Sequence, residues 1–179
     1  MSELLGADRQ PLAADTVLRQ VILKIAQRCN LDCSYCYVYH RGDDSWATRP
    51  AVIADAVVAR LADRITEHCA AHGLTGFTIE LHGGEPLLVG KARMQRIVDI
   101  LRRRCPYQLR FEMQTNGLLL DREWVELLAA NQIGFGISLD GPPELADQYR
   151  VVRGTGAGST AALLEIIARL RTECPEFST

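Results

Sequence analysis

Residues 21–36 read VILKIAQRCNLDCSYC, and this stretch decides the fold. Val21 to Ala26 is a short apolar run rich in branched side chains, the composition of a buried strand. It passes directly into a polar loop that gathers Cys29, Cys33 and Cys36 within eight residues. A strand emptying into a loop of soft ligands is the opening of a strand–helix unit whose chemistry sits at the carboxyl end of the strand.

The same pattern repeats outward from it. After the loop from Gln27 to Pro50, Val57, Leu61, Ile65 and Cys69 recur at helical spacing, and Gly73 supplies the stop. Phe77 to Leu81 alternates as a strand and ends in His82-Gly83-Gly84-Glu85-Pro86. Met94, Ile97, Val98, Leu101 and Cys105 mark a second amphipathic helix, closed by Pro106. Leu109 to Met113 is a third strand, ending in Gln114-Thr115-Asn116-Gly117. Asp121 then caps a helix through Trp124, Leu127 and Leu128, with Asn131 past its end. Gly134 to Leu139 is the fourth strand and closes in Asp140-Gly141-Pro142. A glycine-rich loop, Gly154 to Ser159, leads into a helix carrying Leu163, Leu164, Ile167 and Leu170.

Strict alternation of strands and helices implies right-handed crossovers and a parallel sheet. The fold class is therefore α/β, four strand–helix units of a TIM-type (β/α) barrel. The cysteine loop and the three other polar motifs all fall at carboxyl strand ends, the rim on which such barrels build active sites. A closed barrel takes roughly 250 residues, and this chain has 179. Residues 1–18 read as an N-terminal tail and 19–179 as an incomplete core domain, the N-terminal portion of a longer enzyme. Its fourth strand is expected at an unprotected edge, so residues 1–179 alone should associate or dissolve poorly.

Composition narrows the partners. With 47% hydrophobic and 23% charged residues and a formal charge of -2, the chain is an ordinary globular domain without the basic stripe of a nucleic-acid binder. Its one basic run, Arg102 to Arg104, ends a predicted helix, where positive charge suits the macrodipole. No apolar stretch is long enough to cross a bilayer and no signal pattern opens the chain, so a cytoplasmic location without a membrane partner is expected. In that reducing compartment six cysteines are ligands, nucleophiles or core residues rather than disulfides. Cys69 and Cys105 lie on apolar helix faces and read as core, and Cys174 as a free thiol.

Three thiolates in one loop suit an iron–sulfur cluster or zinc. Structural zinc wants four closed ligands, for which His40 is the nearby candidate. At these residues the sequence resembles the radical SAM superfamily: Cys29, Cys33 and Cys36 follow a first strand with Tyr35 in the aromatic position, and Gly83-Gly84-Glu85-Pro86 follows the second. The resemblance implies a 4Fe-4S cluster on Cys29, Cys33 and Cys36, with one iron open to the amino and carboxylate groups of S-adenosyl-L-methionine (SAM). One electron then cleaves a carbon–sulfur bond and yields a 5′-deoxyadenosyl radical. It also implies that Gly83, Gly84 and the Glu85 carboxylate receive the SAM ammonium group, with Tyr35 and Tyr37 beside the adenine.

A narrower resemblance runs through Gln114-Thr115-Asn116-Gly117, Gly136-Ile137-Ser138-Leu139-Asp140-Gly141-Pro142 and Tyr149-Arg150, which are similar to the sulfatase- and peptide-maturing subgroup. That likeness implies SAM contacts from Asn116, Ser138 and Arg150, the arginine facing the carboxylate. Members usually continue into a cysteine-rich SPASM domain. Cys36-Tyr37-Val38-Tyr39-His40, Asp44-Ser45-Trp46 and Arg49-Pro50 further resemble maturases of ribosomal peptides of the FxsB type. The implied activity is reductive SAM cleavage to modify a peptide side chain, with a peptide or protein substrate and an electron donor such as a flavodoxin or ferredoxin. The alternatives are a sulfatase maturase oxidising Cys or Ser, and a cluster-binding module without turnover. The isolated residues 1–179 are expected to modify no peptide.

Plainer readings stand beside these. His82 can line the pocket or make a structural hydrogen bond, and Asp140 can act in catalysis or only shape a turn. Trp46 and Arg49 are a surface anchor for the cysteine loop or a substrate contact. Gly154 to Gly158 mimics a phosphate loop but lacks Gly-Lys-Ser/Thr, so a flexible helix lead-in is the reading taken.

Overall fold

Alternation in the four apolar runs produces one parallel sheet, in the order β1 (Gln20–Ala26), β2 (Gly76–Gly83), β3 (Gln108–Thr115), β4 (Ile133–Ile137). The chain is seen here as a computed structural model that describes residues 17–175. Nearly all of the predicted tail, residues 1–16, lies outside the described residues. All three strand pairs are parallel and in simple succession, as right-handed strand–helix units require. Between and after the strands run α1 (Ser45–Thr48), α2 (Asp55–His72), α3 (Lys91–Arg104), α4 (Arg122–Ala130), α5 (Pro143–Ala146) and α6 (Thr160–Glu173). The arrangement is the partial barrel expected. No helix among the described residues is long and apolar enough to cross a membrane.

One face of the sheet makes the core. Leu23, Ile25, Phe77, Ile79, Leu81, Phe111 and Met113 point outward from the barrel axis and pack with Val58, Ile65, Met94, Ile97, Leu101, Trp124 and Leu128 of the helices. The opposite, inner face is polar: Gln20, Glu80, Arg110, Glu112 and Gln114 line it, and Ile22 on it is 63% exposed. β1 is therefore buried on one side, not on both. An open hollow of about 540 Å³ lies over this face between Glu80, Arg110, Glu112 and Gly136.

Helix stops follow the sequence closely. Gly73 caps α2 in the left-handed conformation, φ 62°, where other residues pay a steric penalty. Asp121 Oδ1 accepts from the Trp124 N–H at 2.7 Å at the start of α4. The inward stripe of α2 differs from the prediction. Val58, Ala62, Ile65 and Cys69 are buried, whereas Val57 is 53% exposed, because small Ala62 rather than Leu61 faces the sheet. Leu164 of α6 is likewise exposed. The arginine run is more than a solvated helix end. Arg102 donates to the Asn131 carbonyl at 2.6 Å and lies over the Phe111 ring, and Arg104 grips Asp63 of α2 through two bonds of 2.9 and 3.0 Å.

Cys69, Cys105 and Cys174 are all buried in the core, and none of the six cysteines forms a disulfide.

Candidate functional site

The cysteine loop is held at its base, along one flank and from beneath. At its base Gln27 N donates to Ala51 O at 2.8 Å and Ile53 N to Ile25 O at 3.0 Å, so residues 27–51 leave and return at one point. Inside the loop Arg28 donates to the carbonyls of Trp46 and Ala47 and lies over the Trp46 ring, against whose face Tyr39 stands edge-on at 4.9 Å. Trp46 is thus an anchor within the loop. Along the flank, residues 149–153 run antiparallel to residues 30–34: Asp32 N donates to Val151 O, Ser34 N to Tyr149 O and Arg153 N to Asn30 O, at 2.8–3.0 Å.

From beneath, the two glycines of β2's end press on the loop. Gly84 N donates to Ala26 O at 3.0 Å and Glu85 N to Arg28 O at 2.9 Å. A Cβ on Gly83 would stand 2.5 Å from Ala26 O, and one on Gly84 would meet Arg28 O at 2.5 Å and the Tyr39 hydroxyl. The absence of side chains at both positions is what lets the cysteine loop seat on β2.

Glu85 is 1% exposed, and its carboxylate is already engaged. Oε1 accepts from Thr115 Oγ1 at 2.6 Å and from Leu87 N at 3.0 Å, and Oε2 from Asn116 N at 2.8 Å. Burial pushes this carboxyl up, and the three donors oppose the rise. The side chain is a strut between the ends of β2 and β3. Asn116 continues the strut. Its Nδ2 donates to Asn30 Oδ1 at 2.8 Å and points at Cys29 Sγ at 3.8 Å.

Beyond β4, Arg150 is 8% exposed and organises the far side of the site. Its guanidinium lies 3.3 Å from Asp140 and 3.2 Å from the Tyr35 hydroxyl, and donates to the Ser138 carbonyl at 3.2 Å. Tyr35 in turn donates to Asp140, and burial with that acceptor pushes its hydroxyl up to about 12. Asp140 therefore does more than shape a turn: it fixes both the aromatic of the cysteine motif and the arginine. Ser138 Oγ accepts from Gln114 at 3.0 Å. Of the expected site residues, Tyr35, Gly83, Gly84, Glu85, Asn116, Ser138 and Arg150 gather with Cys29, Cys33 and Cys36 on one rim. Tyr37 does not; it is 70% exposed, outside this network. Arg153 and Asp32, which no motif singled out, clamp the loop through bonds to the Cys29 and Leu31 carbonyls and through their own ion pair at 3.0 Å.

The donor set, three soft thiols in one loop, suits an iron–sulfur cluster. Burial pushes the Cys29 thiol up to about 11 and raises that of Cys33, a bias that a bound metal ion opposes by favouring the thiolate. Leu31 N donates to Cys29 Sγ at 3.4 Å, and the Arg150 charge draws the Cys33 thiol down, both favouring the anion. Among the described residues no three His, Cys, Asp or Glu side chains converge to hold one metal ion. His40, the candidate fourth zinc ligand, instead pairs with Asp32 at 3.0 Å. Three thiols spread around a loop suit a polynuclear cluster, in which each goes to a different iron.

Comparison with known proteins agrees with this geometry. The chain is 29% identical over 135 residues to the cysteine-type anaerobic sulfatase-maturating enzyme of Clostridium perfringens, covering 74% of this chain and 35% of that one. It is 32% identical over 148 residues to the serine-type enzyme of Klebsiella aerogenes, covering 78% and 35%. It thus spans about a third of the length of these curated relatives. The fold superposes on native anSMEcpe with bound AdoMet at a TM-score of 0.70, with 24% identity, over 87% of this chain and 41% of that one. It also superposes on the radical S-adenosylmethionine methyltransferase TsrM from Kitasatospora setae, with cobalamin and a 4Fe-4S cluster bound, at 0.53 with 26% identity, over 87% and 29%. Residues 23–179 match the Radical SAM superfamily, and with the three-cysteine loop seated on the double glycine of β2, the chain belongs to that family.

Proposed function

We propose that the chain carries the cofactor-binding portion of an enzyme that reductively cleaves SAM to modify a peptide side chain. Cys29, Cys33 and Cys36 would hold a 4Fe-4S cluster. When bound, the cluster and SAM together supply one-electron cleavage of a carbon–sulfur bond and a carbon-centred radical. The observation that carries the reading is convergence: Arg150 and the Glu85–Asn116 strut both reach the cysteine loop, one with fixed charge at Tyr35, the other with a fixed amide at Cys29.

The chain's own residues bind and orient. Arg150, held by Asp140, Tyr35 and the Ser138 carbonyl, offers a guanidinium whose direction is set before any carboxylate arrives. Tyr35, between Cys33 and Cys36 in sequence and tied by its hydroxyl to Asp140 and Arg150, would lie beside the adenine. The ammonium group would meet the backbone at Gly83 and Gly84 beside the Glu85 carboxylate, whose three donors leave a further lone-pair site. The polar inner face of the sheet leaves room for a peptide beside the rim.

A peptide or protein substrate is supported by the names of the relatives, sulfatase-maturating enzymes of both cysteine and serine type. These names also favour a second reading, in which the residue oxidised is a Cys or Ser of a sulfatase. A flavodoxin or ferredoxin would supply the electron, and the reduced thiols fit a cytoplasmic site.

The test is anaerobic incubation of the reconstituted chain with SAM and dithionite, followed by chromatography for 5′-deoxyadenosine. Release that is absent in the Cys33→Ala variant is expected. A parent chain with an intact cluster that binds SAM and leaves it uncleaved would make this a binding module.

A further inference from the structure

Asn116 occupies an unusual position for a residue of a strand-end turn: it is buried and every polar atom of its side chain is assigned. Its Oδ1 accepts from Leu118 N at 3.1 Å, which leaves the amide nitrogen only one direction. That direction is the cysteine loop, where Nδ2 donates to Asn30 Oδ1 at 2.8 Å and faces Cys29 Sγ at 3.8 Å. The backbone of the same residue is held by Glu85 Oε2 at 2.8 Å, and Glu85 is in turn locked by Thr115 and Leu87. The Cys29 sulfur thus faces two N–H groups, the Leu31 amide at 3.4 Å and the Asn116 side chain. The first is backbone and follows from the turn. The second is delivered from another strand by a buried carboxylate.

We infer that Asn116 donates to the Cys29 sulfur to set the reduction potential of the cluster, and that Glu85 is a positioning residue that aims Asn116. The inference rests on the cluster reading above. Its physical basis is that a donor to a ligating sulfur stabilises the more electron-rich, reduced cluster. The committed carboxylate agrees with it, since a buried acid with three donors has its geometry fixed from within the protein. The Asn30 side chain shares the same amide and keeps it from swinging away.

Redox titration of the reconstituted chain, followed by electron paramagnetic resonance of the reduced cluster, tests this. Asn116→Asp keeps the shape and the acceptor for Leu118 N but loses the donor, and should lower the reduction equilibrium constant about tenfold, 59 mV for one electron. Iron content should hold. Asn116→Ser, which keeps an oxygen but has no amide, should shift it in the same direction, and serves if the first variant does not retain the cluster. Glu85→Gln, which still fills the site but cannot accept from all three donors, should show part of the same shift. Clusters intact in the Asn116 variants at the parental potential would overturn the inference. A parent chain that assembles no four-iron cluster would instead overturn the reading beneath it.

Discussion

Arg153 Nε donates to the carbonyl oxygen of Cys29 at 3.2 Å while the same guanidinium reaches the Leu31 carbonyl at 3.2 Å and the Asp32 carboxylate at 3.0 Å. A side chain from beyond the fourth strand thus fixes the backbone around the first cysteine, and it lies over the Tyr39 ring as well. Replacing it by alanine frees two carbonyls and breaks a half-exposed ion pair, a loss of roughly 1–2 kcal/mol in loop order. Arg153→Ala should release iron to a chelator several-fold faster than the parent, while Arg171→Ala, on α6, should not. Equal release rates would show that Arg153 does not hold the loop.

The double glycine gives a second expectation. Gly83→Ala places a methyl 2.5 Å from Ala26 O, and Gly84→Ala 2.5 Å from Arg28 O, both backbone atoms that cannot turn aside. Each should cost about 1–3 kcal/mol through forced backbone shifts. Gly134→Ala, whose added carbon would meet only Phe111 O at 3.8 Å, is the matched control. Thermal melts of the three variants should separate the first two from the third. Similar melting temperatures would mean that the glycines serve a ligand and not the seating of the loop.

Arg150→Ala should weaken SAM binding by about tenfold to a hundredfold, the range of a lost hydrogen bond to a charged group. Arg150→Lys should recover only part, since an ammonium cannot hold Asp140, Tyr35 and the Ser138 carbonyl together and still face a carboxylate. Calorimetric titration measures both. Normal affinity in Arg150→Ala would remove the arginine from the cofactor site.

Much of this was legible in the order of residues. The four strands, the Asp121 and Gly73 caps and the rim location of the motifs follow from period and punctuation, because each is a local property. The inward stripe of α2 was not, since Val57-Val58 and Leu61-Ala62 offer two neighbouring stripes and only the spacing to the sheet selects the one with alanine. Motif resemblance named residues that the fold brings to one rim, Tyr37 excepted, but not their partners. Glu85 points inward because Thr115 and Asn116 lie beside it across β2 and β3, a relation 30 and 31 residues away in sequence. Arg153 and Asp32 carry no pattern at all, and become visible only where the chain folds back along residues 30–34.

The same returning segment has a pH dependence. Asp147 accepts from the Thr160 hydroxyl at 2.7 Å and from the amides of Thr160 and Ser159 at 2.9 Å, and these bonds hold its carboxyl below the usual range. A folded value below the unfolded one means stability present above the ordinary carboxylate pKa and lost as pH falls through the depressed value. Hydrogen exchange at the start of α6 should therefore rise in acid earlier than in β2, and Asp147→Asn should flatten that difference. A start of α6 equally protected across the acid range would contradict this role.

The central claim is that Cys29, Cys33 and Cys36 together hold one four-iron cluster, and iron analysis with Mössbauer spectroscopy of anaerobically reconstituted protein tests it most directly. The account predicts one such cluster per chain in the parent, a cluster lost or strongly diminished in Cys33→Ala, and one retained in Cys69→Ala, whose thiol belongs to the outer core. An undiminished four-iron spectrum in Cys33→Ala would contradict it.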